Sequence, residues 1–447
     1  MANDKDFVVN GPVVVGKDTK VTVGTVTSGA VDLSTGNYFV DSPSGAYTYS
    51  FTNPGAVQAF QIEATGGSPA VASAFSTTLF DSGGGVPSAT VTNGIDLATD
   101  GGLVWVKSRT NQGASLTQNN LSDTERGTGR KLITNLTNAE IVGSYENCSA
   151  FNNNGFTYAD GFGDSSNKAS WTFKKQAKFF DIVTWTGTGS TRTIAHNLGV
   201  APGMIIVKAV SGSALNGVSN WTVYHRGVDA SYPEQYRLYL DSTSARVDQT
   251  NPWNDTAPTS SLFTIGTDSY LNANGDSFIA YIFAHDTASD GLIQCGRYTG
   301  TATSVAINLG WQPQWLLIKK SDGNEDWSIV DNVRGMGTDP LAPGLKALAP
   351  NSAVAEETPT YSPIVPSSTG FTAHTGYDAR YCANGGTYVY MAIRSASAPA
   401  ITWPTSIEWT QGTTPKTPAE GATDVYTFTT DDGGTTYTGI QSIDTAS

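Results

Sequence analysis

One segment recurs in this chain, and its recurrence constrains the fold more than any other feature. Leu309-Gly310-Trp311-Gln312-Pro313-Gln314-Trp315-Leu316-Leu317-Ile318-Lys319 matches Leu198-Gly199-Val200-Ala201-Pro202-Gly203-Met204-Ile205-Ile206-Val207-Lys208 in the offsets of leucine, glycine, proline, apolar run and lysine. Gly310 and Pro313 punctuate a turn, and Trp315 to Ile318 has the unbroken apolar character of a buried strand. Lys319 and Lys320 are expected to end that run in solvent. A shorter copy, Gly102-Leu103-Val104-Trp105-Val106-Lys107, keeps the strand and its lysine. Lys107, Lys208 and Lys319 stand about a hundred residues apart, room for a whole sandwich-like unit and too far for a solenoid turn.

Other landmarks recur in the same order. An Arg-Gly turn follows each lysine, at Arg126-Gly127, Arg226-Gly227 and Arg334-Gly335, preceded in the second and third copies by Trp221 and Trp327. Phe156-Thr157, Phe263-Thr264 and Phe371-Thr372 come next. The copies close on Trp171-Thr172-Phe173, Phe278 to Phe283 and Tyr388 to Ile393. The third copy carries a proline-rich loop, Pro340 to Pro366, whose prolines argue against regular strands. The expected units are residues 71–179, 180–288 and 289–395.

The flanks read differently. Residues 1–30 hold short valine-rich segments such as Phe7-Val8-Val9 and Val13-Val14-Val15, too few apolar groups for a core. They are expected to form an arm that packs on something else, either another subunit or a larger assembly. Residues 31–68 alternate aromatic and small polar groups, as in Tyr47-Thr48-Tyr49-Ser50-Phe51. Residues 398–447 hold similar strands, at Ile401-Thr402-Trp403, Ile407-Glu408-Trp409 and Val425-Tyr426-Thr427-Phe428, with Asp431-Asp432-Gly433-Gly434 as a hairpin turn. Ser82-Gly83-Gly84-Gly85 lacks a following Lys-Ser/Thr and reads as a linker, not a phosphate loop. No amphipathic helix with caps is visible, so the chain reads as all-β.

Composition excludes several classes. The formal net charge is -14 without a basic cluster, which argues against nucleic acid and against an anionic membrane surface. No apolar run is long enough for a membrane-spanning helix. Met1 to Asp6 does not open a signal peptide, so synthesis in a cytoplasm is expected and the sequon Asn147-Cys148-Ser149 carries no meaning. Cys148, Cys295 and Cys382 stand far apart and read as small buried side chains.

No constellation points to chemistry. His196, His225, His285 and His374 show no metal-ligand spacing. Asp123-x-x-Arg126-Gly127 and Asp331-x-x-Arg334-Gly335 admit a glycan-cleaving carboxylate, but a turn held by an Asp–Arg pair that recurs with the fold accounts for them better. Asp322-Gly323-Asn324-Glu325-Asp326 lacks the spacing of a calcium loop and reads as an acidic turn. Trp105, Trp221, Trp315 and Trp327, at repeat landmarks, read as core. Trp185 and Trp253 could stack on a sugar, although Trp253 lies in a stretch shared with the second family described next.

Two resemblances follow. Val31 to Phe39 with Tyr47 to Glu63, and Ile401 to Trp409 with Asp424 to Tyr437, resemble the two halves of a small β module of bacteriophage tail fibres. The halves are expected to form one split domain, with the repeats inserted into one of its loops. The repeat region, through Gly102 to Arg109, Trp171 to Lys175, Phe179 to Val183, Leu198 to Lys208, Trp253 to Pro258 and Leu309 to Lys319, resembles an uncharacterised domain of marine phage structural proteins, including those of cyanophages. The resemblances imply a non-enzymatic virion protein, fibre-like or knob-like, used for host-surface attachment. A capsid decoration protein is the alternative, and a depolymerase is less favoured. Implied partners are other virion proteins, a host glycan or protein, and two further copies in a homotrimer. No catalytic, cofactor or metal residues are implied, and receptor contacts are unassigned. Both termini would lie at a base, with the Arg-Gly turns and the Pro340 to Pro366 loop on the outer face of a knob.

Overall fold

The structure is a computed structural model. It describes residues 23–443 apart from 28–29, 35–37, 42–46, 54–57, 66–70, 82–87, 111–117, 144, 160–166, 212–218, 289, 396–400, 411, 413 and 416–422. Most of the expected arm and the Gly83-Gly84-Gly85 linker lie outside the described residues. The chain is all-β and divides into two compact units, residues 1–70 with 397–447, and residues 71–396.

Strands from both ends of the chain build the first unit. Gln58–Thr65 pairs antiparallel with Thr423–Thr430 along its whole length, Gln58 facing Thr430 and Thr65 facing Thr423. They sit centrally in an eight-stranded sheet ordered Ile407–Trp409, Tyr437–Ile443, Thr423–Thr430, Gln58–Thr65, Tyr38–Asp41, Val23–Thr27, Ala30–Asp32, Ser50–Thr52. Alternation selects the face that is buried: Phe60 and Ile62 from one half pack with Tyr426 and Phe428 from the other. Phe60 and Phe428 stack with ring centroids 5.1 Å apart. Val23–Thr27 corrects the arm boundary. Its β-forming residues find partners inside this sheet, parallel to Tyr38–Asp41 and antiparallel to Ala30–Asp32. Asp432 fixes the last hairpin by accepting from the backbone N–H groups of Thr435 and Thr436 and from the Thr430 hydroxyl.

The second unit contains three sheets with one strand order. In each, the closing strand lies between the first strand and the signature strand. The first runs Phe75–Asp81, Asn167–Lys174, Gly102–Ser108, Asn119–Asp123, Arg130–Ile133, Ile141–Val142. The second runs Phe180–Thr186, Ser277–Ala284, Pro202–Ser211, Thr222–His225, Tyr236–Tyr239, Val247–Asp248. The third runs Ile293–Thr299, Thr387–Arg394, Pro313–Lys320, Ser328–Asp331, Ala347–Leu348. Each sheet is accompanied by a small second one, in which Phe156, Phe263 and Phe371 face Val91, Ile194 and Ile307. Two short strands, Ala347–Leu348 and Ile364–Ser367, do form in the proline-rich segment of the third copy. Both end their sheets, and Pro366 sits in an edge strand, where its missing N–H is tolerated.

The unbroken apolar run now has a cause. Side chains alternate across a strand. In the first copy Val104 and Val106 pack with Val91, Phe156 and Tyr158 of the small sheet. In the third, Leu316 and Ile318 pack with Ile364 and Phe371 in the same way. The other face, Leu103 and Trp105 or Trp315 and Leu317, enters a single core shared by all three copies. Phe173 of the first closing strand lies 5.4 Å from Phe283 of the second and 5.9 Å from Trp315 of the third, measured between ring centroids.

Candidate functional site

The repeated lysines do not end in solvent. Lys107, Lys208 and Lys319 are completely buried, which corrects the expectation for Lys319. Each shares its strand face with the apolar residues of the common core, so it enters the joint between copies. Lys107 Nζ donates to the Ser352 carbonyl of the third copy at 2.8 Å. Lys208 Nζ donates to the Thr137 carbonyl of the first at 2.7 Å, and also to the Ser219 carbonyl. Lys319 Nζ donates to the Thr243 carbonyl of the second at 2.9 Å and to the carbonyls of Lys320, Gly323 and Glu325. Burial lowers these ammonium groups to about 7, 8 and 8 in chain order. Two of the Lys319 acceptors belong to the acidic turn Asp322 to Asp326, so carbonyls that a calcium ion would need are spent on an ammonium.

The direction of these contacts is cyclic: first copy to third, second to first, third to second. Three further contacts repeat it. Opposite the lysines stand Asn119, Trp221 and Trp327. Asn119 Nδ2 donates to Ala349 and Ser352, Trp221 Nε1 to Ile133 and Leu136, and Trp327 Nε1 to Tyr239, in every case to carbonyls of the neighbouring copy. In the opposite direction, backbone N–H groups of Glu140, Arg246 and Glu356 donate to the carbonyls of Val210, Ser321 and Arg109, from the first copy to the second, the second to the third and the third to the first. Three copies therefore close into a ring, and among the described residues each copy both gives and receives contacts of this kind.

The Asp–Arg pairs also lie in the joints. Asp123 and Asp331 are buried, each 2.6 Å from the Nε of its arginine, Arg126 or Arg334. Tyr281 Oη of the second copy donates to Asp123 Oδ2 at 2.7 Å, and Trp171 Nε1 of the first copy to Asp331 Oδ2 at 3.0 Å. Strand register puts His225 at the equivalent place in the second copy: Leu103, Met204 and Trp315 face Asp123, His225 and Asp331. Arg226 is therefore not the counterpart of Arg126 and Arg334, because Val228 stands three residues after His225; the Arg-Gly match is displaced by two. His225 Nε2 meets the Tyr390 carbonyl of the third copy at 3.1 Å, while its Nδ1 accepts from Gly227 N–H. That pattern is a neutral imidazole, and burial lowers its pKa to about 4.

Glu140 and Glu356 complete the two ionic clusters at 3.3 and 3.4 Å from Arg126 and Arg334, and Arg109 adds a bidentate pair with Glu356. Sequence reading missed both glutamates, since their distances from the arginines in the chain differ. Segment 349–356 of the proline-rich loop, expected on an outer face, is instead seated on the first copy through Ala349, Pro350, Ser352 and Glu356. Leu341, Val354 and Tyr361 of the same loop stay exposed.

The remaining candidates are occupied separately. His196 meets the Thr259 carbonyl, His285 accepts from Cys295 N–H, and His374 pairs with the Ser304 hydroxyl. Among the described residues, no group of three His, Cys, Asp or Glu side chains could hold a metal ion. Cys148, Cys295 and Cys382 are buried and unbridged, and burial raises the first two thiols far above the reactive range. Trp105, Trp221, Trp253, Trp315 and Trp327 are almost wholly buried, and Trp185 nearly so. No helix among the described residues is long and apolar enough to cross a membrane.

One open cleft of about 500 Å³ lies in the first unit, lined by Tyr49, Ser50, Phe51, Trp403, Pro404, Thr405, Ser406, Gly434 and Tyr437. It adjoins Ser50–Thr52, the terminal strand of the eight-stranded sheet.

No curated protein matches the chain. A family model, a domain of unknown function designated DUF7483, matches residues 71–397. That span coincides with the compact unit in which three copies close on one another, and the chain belongs to the DUF7483 family.

Proposed function

We propose that the protein is a non-enzymatic component of a bacteriophage virion surface, fibre-like or knob-like, that serves host-surface attachment. One observation carries the non-enzymatic part: the repeated lysines, Asp–Arg pairs and tryptophans are buried in the joints between copies, where they hold the ring together. Chemistry that a hydrolase would expose to substrate is spent on assembly. Support for the virion setting is the resemblance of both units to phage structural modules and the domain closed by strands from both chain ends. A homotrimer is proposed through the valine-rich residues before Val23.

Immunogold labelling of purified virions tests the setting, with label on the tail or capsid surface as the expected result. Absence of label from intact and disrupted particles overturns it. Incubation with host polysaccharide should leave chain length unchanged; shortened chains would make the protein an enzyme. Sedimentation as a stable monomer at micromolar concentration would remove the trimer.

A further inference from the structure

We propose that Arg226 and Arg297 form an oxyanion site where the second and third copies meet, taking a carboxylate or sulfate group of the kind an acidic surface polysaccharide carries. The polysaccharide rests on the attachment reading above; the oxyanion site does not. Because the Arg-Gly landmark is displaced in the second copy, Arg226 is free of the duty of Arg126 and Arg334. It follows His225 out of the joint and is exposed. Arg297 is exposed on Ile293–Thr299, the edge strand of the third sheet. Glycine brings the two together. A Cβ on Gly227 would meet the Gly296 carbonyl at 2.8 Å and Arg297 Cβ at 3.1 Å, so only glycine allows this approach. Alternation puts Cys295 and Arg297 on one face of their strand. Burial raises the Cys295 thiol and the Arg226 charge opposes that rise, which places Arg226 beside the same face.

Both guanidinium groups lack a partner. Seven of the eleven arginines in residues 71–396 are ion-paired, and Arg192 donates to the Thr186 carbonyl. Arg226 and Arg297 have neither kind of side-chain contact among the described residues. Asp229, the carboxylate nearest to Arg226 in the chain, is committed elsewhere. Its Oδ1 accepts from the Ser231 and Tyr232 N–H groups and its Oδ2 pairs with Arg246. A chain of net charge -14 has carboxylates to spare, yet none opposes these two charges. Neighbouring like charges repel, and an anion between them turns that repulsion into attraction. Each guanidinium presents a fork of N–H donors that matches paired oxygens of a carboxylate or sulfate.

Isothermal calorimetry of the full-length protein at low ionic strength tests the site, with uronic and sulfated oligosaccharides, a neutral oligosaccharide, and inorganic sulfate and phosphate as titrants. A uronic or sulfated oligosaccharide should saturate in the millimolar range or tighter, and bind better than the neutral one or the free ions. Arg226→Gln and Arg297→Gln should each weaken that binding about fivefold, the scale of one exposed ion pair. Both positions are exposed, so the melting profile should not change. Arg226→Lys keeps the charge without the fork and should weaken binding by less. Arg192→Gln removes a charge at the other end of the second sheet and should leave binding unchanged. No saturation by any acidic oligosaccharide, or saturation that both glutamine variants retain, overturns the proposal. So does equal weakening by Arg192→Gln, or binding of the free ions as tight as that of the oligosaccharides. Labelled virions whose protein binds no acidic oligosaccharide sink only this proposal, whereas Arg226-dependent binding by a protein absent from virions sinks the attachment reading.

Discussion

Trp171 and Asp331 lie 160 residues apart in the chain and meet at 3.0 Å, the indole N–H donating to a buried carboxylate already held by Arg334. The Arg334 guanidinium also stands 5.3 Å from the centre of the Trp171 ring. This is the one joint of the ring whose two copies, the first and third, are not consecutive in the chain. Trp171→Phe removes the donor and keeps most of the ring. It should lower stability by about 1–3 kcal/mol, the usual cost of leaving a buried acceptor one partner short. A double-mutant cycle with Asp331→Asn, read by chemical denaturation, should show coupling above about 0.5 kcal/mol; additive effects would mean that the contact is not formed.

The buried lysines make stability depend on alkaline pH. Their folded pKa values, about 7 to 8, lie below the ordinary 10.5, so the unfolded chain binds more protons between those limits. Stability therefore rises with pH across that window and is flat below it. The melting temperature of residues 71–396 should climb from pH 7 to about pH 9.5. Lys319→Met should flatten part of the climb. It should also destabilise by roughly 2–4 kcal/mol at pH 7, because four carbonyls lose their donor.

His225 sets the acid limb in the same way. Its folded pKa of about 4 lies below the ordinary 6.5, so the contribution is complete above the upper value and is lost as pH falls through the lower one. The loss is on the order of 3 kcal/mol by the usual conversion of pKa shift to free energy. His225→Gln keeps a donor for the Tyr390 carbonyl and removes the titration, so it should destabilise modestly at pH 7 and lose less than wild type on acidification to pH 4.5. An equal loss in both proteins would place the acid sensitivity elsewhere.

Much of this architecture is legible in the sequence. The Leu-Gly…Pro…Lys signature marks the signature strand of the second and third sheets, the apolar run ending in Lys107 marks that of the first, and the alternation in Tyr47 to Phe51 and Val425 to Phe428 marks the split domain. What the sequence hides is direction. An apolar run with a lysine at its end reads as a strand leaving the core, because a charged group normally seeks water. Only the parity of Lys319 with Trp315 and Leu317 shows which face it shares, and only the neighbouring copy shows that this face is covered. The same blindness put the Ala349 to Glu356 part of the proline-rich loop outside, since the carbonyls of Ala349, Pro350 and Ser352 give no sign in sequence that they accept from another copy. His225 stays hidden for a different reason: an imidazole in place of a carboxylate shifts the apparent landmark onto Arg226, two residues early.

Three copies form one ring, and their charged landmarks serve its joints. Scanning calorimetry of residues 71–396, with and without Asp331→Asn, reads this cooperativity out. A single transition is expected, with calorimetric and van't Hoff enthalpies that agree, shifted downward as a whole by the substitution. Two or three separable transitions, with only the third copy responding to Asp331→Asn, would contradict it.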